Sequence, residues 1–413
     1  MLRRFFRTSF FVSFSRLLTT GTNLAVIYFI SRFLGAGPLG MYGICFALMY
    51  LAYVVTSFSM EVYLSREVAI GKQNPKRLRD LLGDTVAVAV VGAALAVPLW
   101  WIAIQVYGDL PVELHGLAVA CGFLLGLDLN LSGFLLGIEK AWIETGVNLV
   151  ESLILLCPLA FFPHHIGLEG LFLLRLGSQM AGIGIKWVAI RSECGGERLR
   201  PRWGWFSEVR FFWFDQISSY FMRQADVLLL SLFVGHRELG AYFLTLRIFI
   251  AVGILAEVIA RAAVPFMSRT FHGVEGIRMG VLLRRLLGAA VLLGAMMGIG
   301  LAVGGKYIIA IFKQAQVPGA IWLRWLSLAV PMRMGRSILT AFLSASRYQK
   351  SRFLVNLLNS CLFILFTIGL VIPFGESGAL GARLLGETTG FLLLLLVVFF
   401  RLPESPGLRQ TRS

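Results

Sequence analysis

Apolar runs, each closed by Gly, Pro or a short charged cluster, recur along the chain from one end to the other. About 20 apolar residues in helical form are enough to cross a hydrocarbon core. Lipid offers the backbone no hydrogen-bond partner, so a helix, which satisfies its own polar groups, is the expected form. Runs and breakers predict twelve spans, at roughly 10–33, 41–64, 81–105, 115–138, 142–162, 168–190, 211–234, 240–262, 286–305, 320–345, 353–373 and 379–400. The connections are short apart from 191–210. The pattern therefore predicts an all-α integral membrane protein: an N-terminal six-helix lobe at 1–190, a cytoplasmic linker at 191–210, a second six-helix lobe at 211–400 and a cytoplasmic tail at 401–413.

Composition supports this reading. Of 413 residues 57% are hydrophobic and 15% charged, with mean hydropathy +0.79, more apolar surface than one soluble core could use. The net charge of +16 acquires a meaning once the spans are drawn. With both termini inside, 26 of the 38 Lys and Arg fall in inside segments and only four, Arg32, Arg237, Lys306 and Lys313, outside. That asymmetry follows the positive-inside rule, and nucleic-acid binding, which needs a basic soluble module, is not expected. The opening "MLRRFFRTSFFVSF" resembles a signal peptide but lacks a small-residue cleavage site, so it is expected to stay as the first span. Cys45, Cys121, Cys157, Cys194 and Cys361 are scattered as small apolar packing residues, and no His or Cys spacing suits a metal.

The chain also repeats itself. "FLGAGPLGMYG" at 33–43 returns as "FVGHRELGAYF" at 233–243, each joining two spans. "LLGDTVAVAVVGAALA" from Leu81 matches "LLGAAVLLGAMMGIGL" from Leu286, "LSGFLLG" at 131–137 aligns with "LTAFLSA" at 339–345, and Asn148 falls on Asn356. Six helices per half mean that both halves enter from the same side, as parallel repeats. Two such lobes with a cavity between them form a carrier layout.

The first 80 residues, with "GTNLAVIYFISRFLGAGPLGMYG" and then "SREVA" closing the second span, resemble the polysaccharide-biosynthesis, oligosaccharide-lipid flippase branch of the multidrug/oligosaccharidyl-lipid/polysaccharide (MOP) exporter superfamily. The resemblance implies MATE-like lobes and a transporter of the cell inner membrane. It implies translocation of polyprenyl-pyrophosphate-linked oligosaccharide to the outer leaflet by alternating access of the two lobes. The implied partners are the lipid-linked oligosaccharide, membrane lipids and a polysaccharide polymerase or assembly protein. No cofactor is expected, and coupling to H+ or Na+ stays open.

Charged residues deep in the bilayer are costly, about 2.5–3.5 kcal/mol each on insertion scales, so they are expected to face a bundle interior or a wet cavity. Arg16, Thr20 and Asn23 share one face of the first span, and their counterparts 200 positions later are Gln216, Tyr220 and Arg223. Arg333 and Arg336 share a face of the tenth span. Guanidinium forks bind phosphate oxygens bidentately, which makes Arg16, Asn23, Gln216, Arg223, Arg333 and Arg336 the candidate substrate contacts. Asp128, Asp226, Glu151 and Glu387 are candidates for coupling or for structural pairing. Asp226 could neutralise Arg223, and Asp128 could pair with Arg336, whose place it takes in the repeat. Arg324 and Arg383, near span ends, are expected to snorkel, and Lys186 counts among the inside cations. Arg175 and Arg247 read as structural.

Two other readings are weaker. A cation-exporting multidrug or small-solute antiporter would be expected to carry an acid in the first span, where Arg16 stands. A polyprenol-dependent membrane glycosyltransferase needs an acidic pair in its first external loop, and "GAGPLG" has none. No Gly-x-x-x-x-Gly-Lys-Ser/Thr motif exists for an ATPase.

Overall fold

A computed structural model describes residues 2–71, 74–194, 204–271, 279–312, 319–345 and 348–401. The described residues are almost entirely helical and contain no strand. Residues 195–203 of the expected linker, Lys313 and the tail beyond 401 lie outside them.

The helices are α1 (Leu2–Phe29), α2 (Ala36–Ser57), α3 (Met60–Gly71), α4 (Pro75–Val106), α5 (Val112–Gly137), α6 (Ala141–Phe161), α7 (Leu168–Cys194), α8 (Trp205–Leu230), α9 (His236–Phe271), α10 (Met279–Ile311), α11 (Gly319–Ser327), α12 (Val330–Ala345) and α13 (Gln349–Arg401). A π-helical turn, Ile30–Leu34, extends α1. Gly375, at φ 54° and two residues after Pro373, divides α13 into two arms. Twelve passes result once α2 with α3, and α11 with α12, are each taken as one broken span. Eight of the described helices are long and apolar enough to span by length and composition alone, α13 being long enough for two passes. The charges along α7 and α8 and the break between α11 and α12 keep the remaining passes below that threshold.

Local chemistry explains the ends. Asn74 caps α4, its Oδ1 accepting from the backbone N–H of Lys76 and Arg77, and Pro75 occupies the first turn, where a missing N–H costs nothing. Gly35, at φ 102°, turns the chain into α2. The repeated motif builds the same turn twice: Leu39 N–H donates to the Gly35 carbonyl (3.3 Å) and Leu239 N–H to that of Gly235 (3.0 Å). Pro331 lies in the first turn of α12, just after the break at Leu328–Ala329, where its missing N–H costs nothing.

Contacts divide the chain into two compact units, Met1–Tyr220 and Phe221–Ser413, the division falling within α8. In the first unit α5 runs along α2 and α3. Gly122, Gly126, Gly133 and Gly137 lie along the side of α5 that meets these two helices. A Cβ on Gly122 would come within 2.2 Å of the Met49 carbonyl, and one on Gly133 within 2.3 Å of that of Glu61. Small residues at helix contacts let backbones approach where no hydrophobic driving force acts. In the second unit Gly294 and Gly298 of α10 do the same against Pro331 and the Ser327 carbonyl.

The break between α2 and α3 places Phe58 and Ser59, neither of them Gly, at φ 51° and 55°. It removes helical partners from nearby carbonyls. Trp213 Nε1 donates to the Val54 carbonyl (2.9 Å) and Asn130 Nδ2 to that of Ser57 (3.3 Å). Phe58 packs against Trp205 and Trp213. The first part of α8 thus supports the break, and this support offsets the backbone strain.

Candidate functional site: buried charge clusters in each unit

Four ionic groups organise the interiors of the units. In the first, Lys186 of α7 donates from Nζ to both oxygens of Asp128 on α5, each at 2.6 Å, and to Ser132 Oγ at 2.9 Å. Lys186 is 0% exposed. It is not the headgroup cation its position suggested, because α7 continues to Cys194 and leaves Lys186 two turns inside the helix. The pair is neutral and has three hydrogen bonds on the ammonium, the condition under which buried ions are tolerated. Glu151 and Glu144 of α6 each keep one buried carboxyl oxygen without a hydrogen-bond partner. Glu151 Oε1 sits where a Cβ of Gly182 would be, so Gly182 makes its room.

Also in the first unit, Arg175 of α7 donates to Asn23 Oδ1 (2.7 Å) and to Tyr42 Oη (3.1 Å). Asn23, a candidate substrate contact, thereby fastens α1 to α7. Arg16 is half-buried on the same helix. Gln216 hydrogen-bonds with Ser59 Oγ and donates to Tyr53 Oη. Tyr220 donates to the Ala47 carbonyl (3.0 Å). Gln216 and Tyr220 therefore tie α8 to α2 and to the start of α3.

In the second unit, Asp226 of α8 is held by Arg383 of α13 through Nε (3.0 Å) and Nη2 (2.5 Å), and by the Tyr242 hydroxyl. Arg383 also donates to the carbonyls of Met222 (2.6 Å) and Arg223 (3.2 Å) and lies over the Phe363 ring. It is 1% exposed, so the expected snorkelling does not occur: a carboxylate and two helix carbonyls satisfy the guanidinium inside. Arg383 is the partner that Asp226 takes, and the Arg223 side chain is exposed.

The fourth cluster joins the two arginines of α12 to one acid. Arg333 Nη1 lies 2.7 Å from Glu387 Oε1, and Arg336 Nη1 lies 3.5 Å from Glu387 Oε2. Arg333 also lies over the Phe249 ring. Gly253 and Gly390 leave space for the two guanidiniums, since a Cβ on either would fall within 2.2 Å of Arg333 Nε or 3.2 Å of Arg336 Cζ. Two arginines against one carboxylate leave a surplus positive charge. Their side chains keep 13% and 20% exposure while Glu387 keeps 2%. The expected Asp128–Arg336 pairing gives way to partners within each unit: Asp128 goes to Lys186 and Arg336 to Glu387.

Sequence reasoning missed Lys186 and Arg383. The repeat could have found the second, because Arg175 and Arg383 stand 208 positions apart, the offset that relates Asn148 to Asn356. Tyr42 and Tyr242 stand 200 apart and each contacts its unit's buried arginine cluster. Among the described residues no group of three or more His, Cys, Asp or Glu side chains could hold a metal.

A family model described as "Polysaccharide biosynthesis protein" matches residues 5–271. Among solved structures the chain is similar to an inward-facing multidrug resistance MATE family transporter of the MOP superfamily, with TM-score 0.72, 14% identity and 96% of each chain covered. It is similar to the lipid II flippase MurJ in an inward closed conformation, with TM-score 0.70, 13% identity, and 95% of this chain and 87% of that one covered. A eukaryotic MATE transporter gives TM-score 0.68 at 16% identity, over 100% of this chain and 98% of that one. No curated protein sequence matches. At such identities the likeness is one of fold: a multi-pass, all-α membrane architecture.

Proposed function

Because the chain belongs to the polysaccharide biosynthesis protein family, we propose that it is a flippase for polyprenyl-pyrophosphate-linked oligosaccharide in the inner membrane, with both termini cytoplasmic. The single observation that carries this reading is the arginine surplus around Glu387. A pyrophosphate needs cationic donors held in place before it arrives, and Arg333 and Arg336 are oriented by the acid they share. The acid also lowers the cost of keeping two guanidiniums together in a dry interior. Arg223, exposed in the same unit, adds a further cation to the proposed headgroup contacts, while Asn23 and Gln216 are engaged by partners within the first unit. Alternating access then exposes the loaded site first to one side and then to the other. No group here is asked to make or break a covalent bond, which fits a transporter. The likeness to multidrug transporters concerns fold, and the family match favours the glycan-lipid reading.

The test follows lipid-linked oligosaccharide across the bilayer in reconstituted vesicles. Arg333→Ala and Arg336→Ala are expected to reduce translocation at least tenfold with normal membrane levels, and Lys replacements to restore it only in part, since an ammonium makes no fork. Wild-type translocation by both Ala variants removes the site. Wild-type protein that fails to move the lipid-linked glycan removes the reading.

A further inference from the structure

Towards the end of α10 and at the last turn of α11, Ala302, Val303, Lys306, Tyr307 and Arg324 line a hollow of about 420 Å³. It lies wholly within the second unit and apart from the buried clusters. Lys306 and Arg324 bring two cations to one small surface, and among the described residues neither forms an ion pair with a carboxylate. Between Glu275 and Glu376 the sequence holds no Asp or Glu, so neither α10 nor α11 supplies a carboxylate of its own. The Lys306 ammonium rests 4.8 Å from the Tyr307 ring centroid, which leaves its donors available. Tyr307 and Trp325 are both exposed, and such amphipathic rings are enriched at headgroup level.

Below the cations, Leu292, Met296, Ile299 and Val303 are exposed in turn along α10. Their spacing of four, three and four places them on one face, as a continuous apolar stripe. From Leu292 to Val303 the helix rises about 16 Å, close to half of a hydrocarbon core of about 30 Å. The stripe is thus matched to the tails of one leaflet, and the hollow sits where the headgroup of such a molecule would lie.

We infer that the hollow is a binding site for an anionic phospholipid, its phosphate held by Lys306 and Arg324 and its acyl chains lying on the α10 stripe. Two observations select this occupant: two uncompensated cations favour a net negative headgroup over a zwitterionic one, and a stripe of one leaflet's depth suits diacyl tails. Its role differs from that of the arginines around Glu387. It would anchor the outer face of α10 to the leaflet against which the helix moves.

The experiment uses phosphatidylglycerol carrying a photoreactive acyl chain, incorporated in vesicles with the full chain, followed by peptide mapping. Crosslinks are expected on residues 292–311, and phosphatidylcholine with the same tail is expected to label them at least tenfold less. Lys306→Ala with Arg324→Ala should weaken that labelling about thirtyfold, as expected for two basic residues near an anionic surface, while labelling elsewhere stays constant. Lys306→Arg with Arg324→Lys should stay within about threefold of wild type. Equal labelling by the two lipids, or unchanged labelling in the double Ala variant, overturns the inference. Displacement by inorganic phosphate or by equimolar polyprenyl phosphate also overturns it, assigning the hollow to a free anion or to the carrier lipid.

Discussion

At the residue scale, the decisive distinction is between charges that are compensated and charges that are in surplus. Lys186 and Asp128 compensate each other at zero exposure of the ammonium. Removing one partner strands the other, and breaking a buried pair in this way costs about 3–5 kcal/mol. Lys186→Met is therefore expected to lower the unfolding midpoint in detergent strongly, and Lys186→Met with Asp128→Leu to recover most of the loss. Unfolding curves that place the double variant no higher than the single one would refute the pairing as the cause. The sequence hid this pair for a simple reason. Lys186 lies close to the expected end of the sixth span, where a long side chain normally reaches water, and the helix goes one turn further than its apolar run. Arg383 misled in the same way. A snorkelling arginine and a buried one have the same letter and nearly the same depth, and the partners opposite, Asp226 and the carbonyls of Met222 and Arg223, distinguish them.

At the element scale, the spans were legible because period and length suffice to find a helix in lipid. The twelve expected segments all fall on described helices, with ends displaced by several residues. The break in the second span was not legible, whereas in the tenth Pro331 marks where the helix restarts after Leu328–Ala329. Phe58 and Ser59 are ordinary helix residues whose left-handed conformation is set by what surrounds them: Trp213, Asn130 and the first part of α8. Nor did the apolar pattern identify the glycines of α5 as a contact surface, since hydropathy does not register a missing Cβ. Their role is testable. Gly133→Ala brings a Cβ against backbone atoms of Glu61 that cannot swing aside, and overpacking of this kind costs about 1–3 kcal/mol. Gly146→Ala on α6 meets nothing within 4 Å, and there the better helix propensity of Ala should stabilise by up to about 1 kcal/mol. Opposite shifts in the unfolding midpoint are expected from the same chemical change, and equal shifts would show that helix propensity alone governs both sites.

At the scale of the whole molecule, the repeat has kept positions and exchanged charges. Asp128 on α5 stands 208 positions before Arg336 on α12, and Glu151 stands 208 before Asn359. In both units the fifth helix of the repeat, α6 in the first and the first arm of α13 in the second, approaches a glycine of the sixth: Glu151 lies at Gly182 and Asn359 at Gly390. The common scaffold was legible from the motif pairs, and the exchange was not, because the identity of a buried partner depends on contacts that spacing does not encode. The consequence is an asymmetry of charge. The Asp128–Lys186 pair sums to zero and is sealed, whereas two arginines share Glu387 and remain partly open. If duplication supplied the frame and the second unit specialised for an anion, replacing the first pair by Asp128→Leu with Lys186→Met should leave translocation within about threefold of wild type, because a buried pair can give way to apolar residues at little net cost. In the second unit, Arg336→Leu with Glu387→Gln keeps the cluster at one positive charge but removes one of its two forks, and translocation should fall at least tenfold with protein levels maintained. A vesicle assay of both double variants at equal protein density decides the matter. Comparable losses in the two would mean that the clusters act alike and that the cationic surplus does not set the polarity of the substrate.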